Sequence, residues 1–286
     1  MSEVTNTINA TLAAPFIPEV WSARVIDEYV AGAVASDLVD RRFDPDLSKS
    51  GDTLHLGTIS KVVPISRTVN TDMTYNAEQE TWVNVSIDQD YYIFRKLEPL
   101  TKAGSLVDML NQYAKIDGKA MAEKVDTTVT ALFDLLNSNT TVGTAAVDVT
   151  DDNLLRCVQY LDDNLVPRED RAWLISPGTF TSLMKIDKFV RLDYVMPKGQ
   201  TATESAKLNY PIYGAPVYVC NTLEGNAATD HDNALLQREA IILIIQSEPS
   251  VVKAYDVRGG YDTIKTECIW GVGEERDLNG VCLLGK

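Results

Sequence analysis

The sequence predicts an α+β fold in which a long β-hairpin and a long helix are joined to a compact α/β unit. Three observations predict it. Residues alternate with a period of two from Thr53 and again through Val83, Val85 and Ile87. Apolar positions recur at helical spacing from Leu106 to Leu136. Short mixed helix and strand patterns follow between residues 151 and 284. With 286 residues, 45% of them hydrophobic, the chain can fill one large core or two modest ones.

Residues 1 to 17 show no sustained period, and Pro15 and Pro18 bracket Phe16-Ile17, so the start reads as an arm with an apolar end. Pro18 suits the first position of a helix, and Trp21, Val25, Tyr29 and Ala33 then fall on one side, which predicts a helix from about Pro18 to Val39. Asp44-Pro45 and Lys49-Ser50-Gly51-Asp52 stop it. Beyond them Leu54 and Leu56 alternate with Thr53 and His55, and Val63 and Ile65 with Pro64 and Ser66. After a polar stretch from Thr68 to Gln79, Val83, Val85 and Ile87 share a face. The expected hairpin has a wide tip and arms of about 14 residues, or roughly 45 Å. A two-stranded ribbon is marginal alone in water, so its apolar face needs a surface, expected on neighbouring subunits.

Ser105 and Asp108 form a weak capping box ahead of a helix expected from Ser105 to Leu136, about 48 Å long at 1.5 Å per residue. That is nearly the roughly 50 Å diameter of a globule of this chain length. Residues 137 to 143 read as a linker. Asp151 to Leu165 reads as a helix, Ala172 to Ile175 as a buried strand, and Ser176-Pro177-Gly178-Thr179 as a turn into a helix from Phe180 to Lys185. Strands are expected at Pro216 to Cys220, Ala240 to Ile245, Val251 to Val257, Tyr261 to Val272 and Val281 to Leu284, with Arg258-Gly259-Gly260 as a turn.

Composition excludes more chemistry than it supports. The 41 acidic against 26 basic residues give a net charge of −15, which disfavours nucleic-acid affinity by counterion release, and no specific nucleic-acid binding is expected. The longest apolar run, Ala240 to Ile245, is far shorter than the roughly 20 residues of a bilayer span, and the N-terminal residues lack a basic flank before an apolar stretch, so a soluble, unprocessed product without a membrane partner is expected. Cys157, Cys220, Cys268 and Cys282 have no zinc-ligand spacing and read as reduced core thiols. His55 should point away from the leucine face, and His231 sits in a turn-like Thr229-Asp230-His231-Asp232-Asn233, read as a solvated loop. No phosphate loop, nucleophile elbow or zinc-protease pair occurs. The acid pairs Asp151-Asp152, Asp162-Asp163 and Glu274-Glu275 read as solvated faces, and Tyr91, Tyr92 and Phe94 as core or interface. No catalytic, cofactor or metal site is expected. What remains is an arm, a ribbon and a long helix offering apolar surface that a lone globule covers poorly, which points to a self-assembling subunit. A soluble carboxylate enzyme is the reading from a different class.

The residues also resemble a known family, the major capsid proteins of tailed bacteriophages with the Hong Kong 97-like fold. The likeness lies in Phe16-Ile17-Pro18-Glu19-Val20-Trp21-Ser22-Ala23-Arg24, Gly51-Asp52-Thr53, Val125-Asp126, the run from Val166-Pro167-Arg168 through Trp173, Ser176-Pro177-Gly178 and Lys185 to Phe189, and Tyr213-Gly214-Ala215-Pro216-Val217. It extends over nearly the whole chain by order of elements. An encapsulin-like nanocompartment shell shares the fold and is the nearest alternative.

The resemblance implies an N-arm over residues 1 to 17, an extended E-loop from Thr53 to Phe94, a spine helix from Ser105 to Leu136 and long strands in Val251 to Val272. By domain it implies 1–50 as arm and first helix, 51–100 as E-loop, 101–139 with 247–275 as peripheral domain, and 140–246 with 276–286 as axial domain. It further implies hexamers and pentamers in an icosahedral head around packaged DNA, a location in the virion after assembly in the host cytoplasm, and a portal protein as partner. No long cleavable N-terminal segment of the built-in scaffold kind is evident, so a separate scaffolding protein is expected. The expected intersubunit contacts are Phe16, Ile17, Trp21, Lys61, Arg67, Trp82, Val83 and Val85. Lys61 carries no recognisable cross-linking context, and no covalent cross-link is expected.

Overall fold

The computed structural model describes residues 7–8, 25, 33–44, 53–59, 64–66, 70, 72, 80–97, 107–190, 211–223, 225 and 230–286. Three sheets organise them. A four-stranded sheet runs in the order β1-β4-β10-β9, with β1 at Thr7–Ile8, β4 at Gln89–Leu97, β9 at Ile241–Asp256 and β10 at Tyr261–Glu274. A five-stranded sheet runs β5-β11-β8-β6-β7, from Thr141–Gly143, Gly280–Gly285, His231–Gln237, Arg171–Ile175 and Val217–Val219 respectively. A two-stranded ribbon pairs β2, Thr53–Ile59, with β3, Glu80–Ser86. The helices are α1 at Val107–Thr130, α2 at Asp151–Asp163, α3 at Pro177–Leu183 and the single turn α4 at Asp187–Val190.

The apolar stripe of α1 lies on the four-stranded sheet. Met121, Ala122, Val125 and Val129 recur at three- and four-residue spacing and are buried with Phe133, Leu136, Ile241, Leu243, Ile245, Cys268 and Trp270. Trp270 satisfies its ring N–H on Thr128 Oγ1 at 2.9 Å and stacks on Tyr91 with centroids 5.2 Å apart. The helix is shorter than the expected 105–136. Turns replace it after Thr130, and Asn137 and Ser138 take left-handed backbone angles before β5. The stripe is also rotated from the expected one, because Ile116 and Ala120 face solvent while Asp117 and Asp126 lie inside.

A second core joins Leu154, Cys157 and Leu161 of α2 to Trp173, Ile175, Leu235, Val281 and Leu283. The two cores share a sheet. Leu174, Ala234 and Leu236 face the first core while their neighbours Trp173, Ile175 and Leu235 face the second. Covering on both faces explains why all five residues of β6 are buried.

The same logic accounts for Ile241-Ile242-Leu243-Ile244-Ile245. Its odd members enter the first core, and Ile242 and Ile244 pack with Val85 under Leu54, Leu56, Val83 and Ile87. The base of the ribbon therefore lays its apolar face on its own chain, where neighbouring subunits had been expected to cover it. Close approach depends on glycine: a Cβ at Gly271 would lie 2.5 Å from Ser86 O, and one at Gly273 2.7 Å from a Val85 methyl.

Further expectations need correcting. The helix expected to reach Val39 has given way to turns from residue 34, although Val25 is helical and fully buried. The ribbon ends at Ser86, and Gln89–Leu97 pairs with β10 from Trp270 to Asp262, so Phe94 belongs to the four-stranded sheet. The stretches 240–245 and 251–257, expected as separate strands, are joined in one strand of 16 residues, Ile241–Asp256, that runs through position 246/247, with ladder irregularities opposite Glu267 to Trp270. His231 starts β8, where a loop was expected, because Asn233 hides its polarity. Its amide group donates to His231 O and Leu283 O and accepts from Ser176 N.

Candidate functional site

Two surfaces carry apolar groups that the described residues leave uncovered. On the outer face of the ribbon Trp82 pairs with Gly57 and is 60% exposed. Beside it His55 Nδ1 meets Asn84 Oδ1 at 2.6 Å, pointing away from Leu54 and Leu56 as the alternation predicts. The second surface is the face of the four-stranded sheet away from α1. Phe94, Lys265 and Val252 lie in one row across three strands, followed by Tyr92, Glu267 and Ser250. Tyr92, Phe94 and Val252 are exposed. Lys265 pairs with Glu267 and lies 5.9 Å from the Tyr92 ring centroid, so charge and aromatic surface are interleaved.

Between the two sheets is a charged junction. Asp40 is 1% exposed, and its backbone bridges β9: its N–H donates to Ile241 O at 3.0 Å and its carbonyl accepts from Leu243 N at 2.9 Å. Arg42 Nε donates to Asp40 Oδ2 at 2.5 Å, and Arg42 Nη2 to Glu275 Oε1 at 3.0 Å. Glu239 lies 3.9 Å from Arg42 and 3.1 Å from Arg276. The Glu275 side chain is 11% exposed. Desolvation first, then the facing Asp40 carboxyl, push its pKa up to about 7 against the pull of Arg42. Glu274-Glu275 is thus not the solvated face that adjacent acids suggest. Gln237 Oε1 supports the junction by accepting from Asn279 Nδ2 and Glu239 N.

Two further carboxylates are buried under α1. Asp126 accepts from Val34 N at 2.8 Å and Ser36 N at 3.0 Å, fixing the turn after residue 33; burial raises its pKa and these amides oppose the rise. Asp117 pairs with Arg95, whose guanidinium also lies 4.9 Å from the Tyr113 ring centroid. Among the described residues no group of three or more His, Cys, Asp or Glu could hold a metal ion, and no helix is long and apolar enough to cross a membrane. The four cysteines are free and buried.

No family model and no curated protein matches the sequence. Solved structures do match. A chain in the structure of Mycobacterium phage Che8 is 18% identical with a TM-score of 0.71, over 88% of this chain and 90% of that one. The capsid structure of the cyanophage P-SCSP1u is 17% identical with a TM-score of 0.63, over 82% and 83%. The chain has a phage capsid fold. A virus-like particle from Pyrococcus furiosus shares it at 9% identity and a TM-score of 0.56, over 94% and 98%.

Within this capsid fold the expected contact residues divide into three groups. Phe16, Ile17, Trp21, Lys61 and Arg67 lie outside the described residues. Trp82 stands exposed. Val85 is 1% exposed and Val83 is partly buried with it against Ile242 and Ile244, so these two valines hold the ribbon to its own body. The sequence reading missed Asp40 and Asp117, quoted Asp126 only in the likeness, and took Glu275 for part of a solvated face. A usable signal existed for Asp126, an acid on the stripe of Ala122, Val125 and Val129; Glu275 had none, since its burial comes from a segment 233 residues earlier.

Proposed function

We propose that the chain is the major capsid protein of a tailed bacteriophage, assembling as hexamers and pentamers into an icosahedral head that encloses the DNA genome. The observation that carries this reading is the likeness to the cyanophage capsid over more than four fifths of both chains. The role is structural rather than catalytic. In this reading residues 1–50 are the N-terminal arm and first helix, and 51–100 carry the E-loop. Residues 101–139 with 247–275 form the peripheral domain around the spine helix α1, and 140–246 with 276–286 the axial domain. Trp82, with Phe16, Ile17, Trp21, Lys61 and Arg67, would touch neighbouring copies. A separate scaffolding protein and a portal protein are the expected partners, in the host cytoplasm during assembly.

Sedimentation and negative-stain imaging of the full chain, alone and with candidate scaffold, test this. Shells are expected, and deleting Thr68 to Gln79 should leave a folded subunit that builds none. Species of only a few subunits under every condition, or normal shells from the deletion, would overturn the reading. The Pyrococcus furiosus likeness supports a second reading, a nanocompartment shell. Enzyme cargo in purified particles, in place of DNA, would favour it.

A further inference from the structure

Three carboxylates meet two guanidinium groups at the junction of the sheets. Arg42 touches Asp40 at 2.5 Å and Glu275 at 3.0 Å, and Glu239 is held mainly by Arg276 at 3.1 Å. Two nearly buried carboxyls thus share one cation. Glu275 Oε2 is buried and meets no donor, and the group facing it is the Asp40 carboxyl. An acceptor facing an acceptor in low dielectric is costly unless one carries a proton, which then makes a hydrogen bond between them. A cleft of about 210 Å³ lined by Asp40, Arg42, Asp170, Gln237, Arg238 and Glu239 brings water to the Asp40 side of the pair.

Asp40 sits on a strap. Residues 40–44 lie along the edge of β9 through Asp40 N to Ile241 O, Leu243 N to Asp40 O, and Ile245 N to Asp44 Oδ1 at 2.9 Å. We propose that Asp40 and Glu275 form a proton-operated latch: one shared proton clasps the 40–44 strap to the residue that follows β10, and its loss on passing from mildly acidic to mildly alkaline solution loosens the strap from β9. The other charged groups set the balance. Asp40 and Arg42 face Glu275 from the strap, and Glu239 and Arg238 come from the turn between β8 and β9. Glu274, Arg276 and Asp277 come from the end of β10 and the turn after it. The latch is a property of the single subunit and holds whether or not shells form.

The sign follows from linkage. Glu275 binds its proton more tightly with the strap closed, up to about 7, than at the ordinary value of 4.5 expected once the strap opens. The closed state therefore holds more protons and weakens as pH rises. From pH 6 to pH 8 the opening equilibrium should rise about tenfold.

Hydrogen exchange of the full chain, followed at the Leu243 and Ile245 amides and corrected for intrinsic rates, reads this directly. The wild type should exchange about tenfold faster at pH 8 than at pH 6, with Val281 to Leu283 as an unchanged reference. Glu275→Gln, whose amide can donate to Asp40 at every pH, should show no slope and wild-type pH 6 protection. Should that variant not fold, Asp40→Asn decides, since Glu275 then titrates without a facing carboxylate and the slope should shrink to the part that burial alone sustains. A flat wild-type profile, or the full slope kept in the variant that folds, would overturn the latch.

Discussion

Asp126 occupies a place on α1 where its neighbours Ala122, Val125 and Val129 are hydrocarbon, and it holds two backbone amides 90 and 92 residues earlier in the chain. Removing it leaves Val34 N and Ser36 N without their acceptor in a buried setting, at a cost of about 1–3 kcal/mol for each donor. Asp126→Ala should therefore lower unfolding stability by roughly 3 kcal/mol in urea titration, and a change under about 0.5 kcal/mol would show the turn holds itself. The cysteines make the opposite case, since burial there quiets the chemistry. Cys157, Cys268 and Cys282 have their thiols pushed up to about 12, chiefly by desolvation. At pH 8 such a thiol is ionised to roughly one part in ten thousand. A disulfide reagent should find no fast thiol in the native chain and all four after denaturation. Rapid reaction of any of these three would mean that its core opens.

At the scale of elements, the ribbon base is held by a close approach that a methyl group would prevent. Gly271→Ala places a carbon 2.5 Å from Ser86 O and 2.9 Å from Ile87 Cα, both backbone. The variant should lose about 2 kcal/mol of thermal stability and become easier to cleave near residue 87; unchanged melting and proteolysis would show that β3 can shift at no cost. The elements most legible in the sequence were those whose pattern reports one buried face. β10 and α2 fall within a few residues of expectation because their alternation or helical spacing is unmixed, while the turn at 258–260 was marked by its glycines and β11, buried on both faces, by its short apolar run. β8 was illegible because Asn233 satisfies its amide inside the sheet, so a polar residue marked a core strand. The phase of α1 was misread because Asp117 and Asp126 spend their charge on Arg95 and on backbone amides, leaving Ile116 outside in their place. The ribbon was recognised, but from one sequence its apolar face could not be assigned to Ile242 and Ile244, more than 150 residues away.

Over the whole molecule the net charge of −15 sets a long-range repulsion between copies that short-range contacts must overcome. Screening shortens that repulsion from about 30 Å at 0.01 M salt to about 10 Å at 0.1 M. Assembly followed by light scattering should therefore start sooner at 0.1 M than at 0.01 M salt, as order-of-magnitude conditions. An onset indifferent to ionic strength would place the controlling step elsewhere. The single strand Ile241–Asp256 also has a mechanical consequence. Its first five residues are gripped between the α1 core on one face and the ribbon base on the other, so this end of the strand has little freedom. The weakest place is the stretch from Ile245 to Ser250, where the regular ladder to β10 is interrupted twice. Any change of twist in this strand would concentrate there, within six residues.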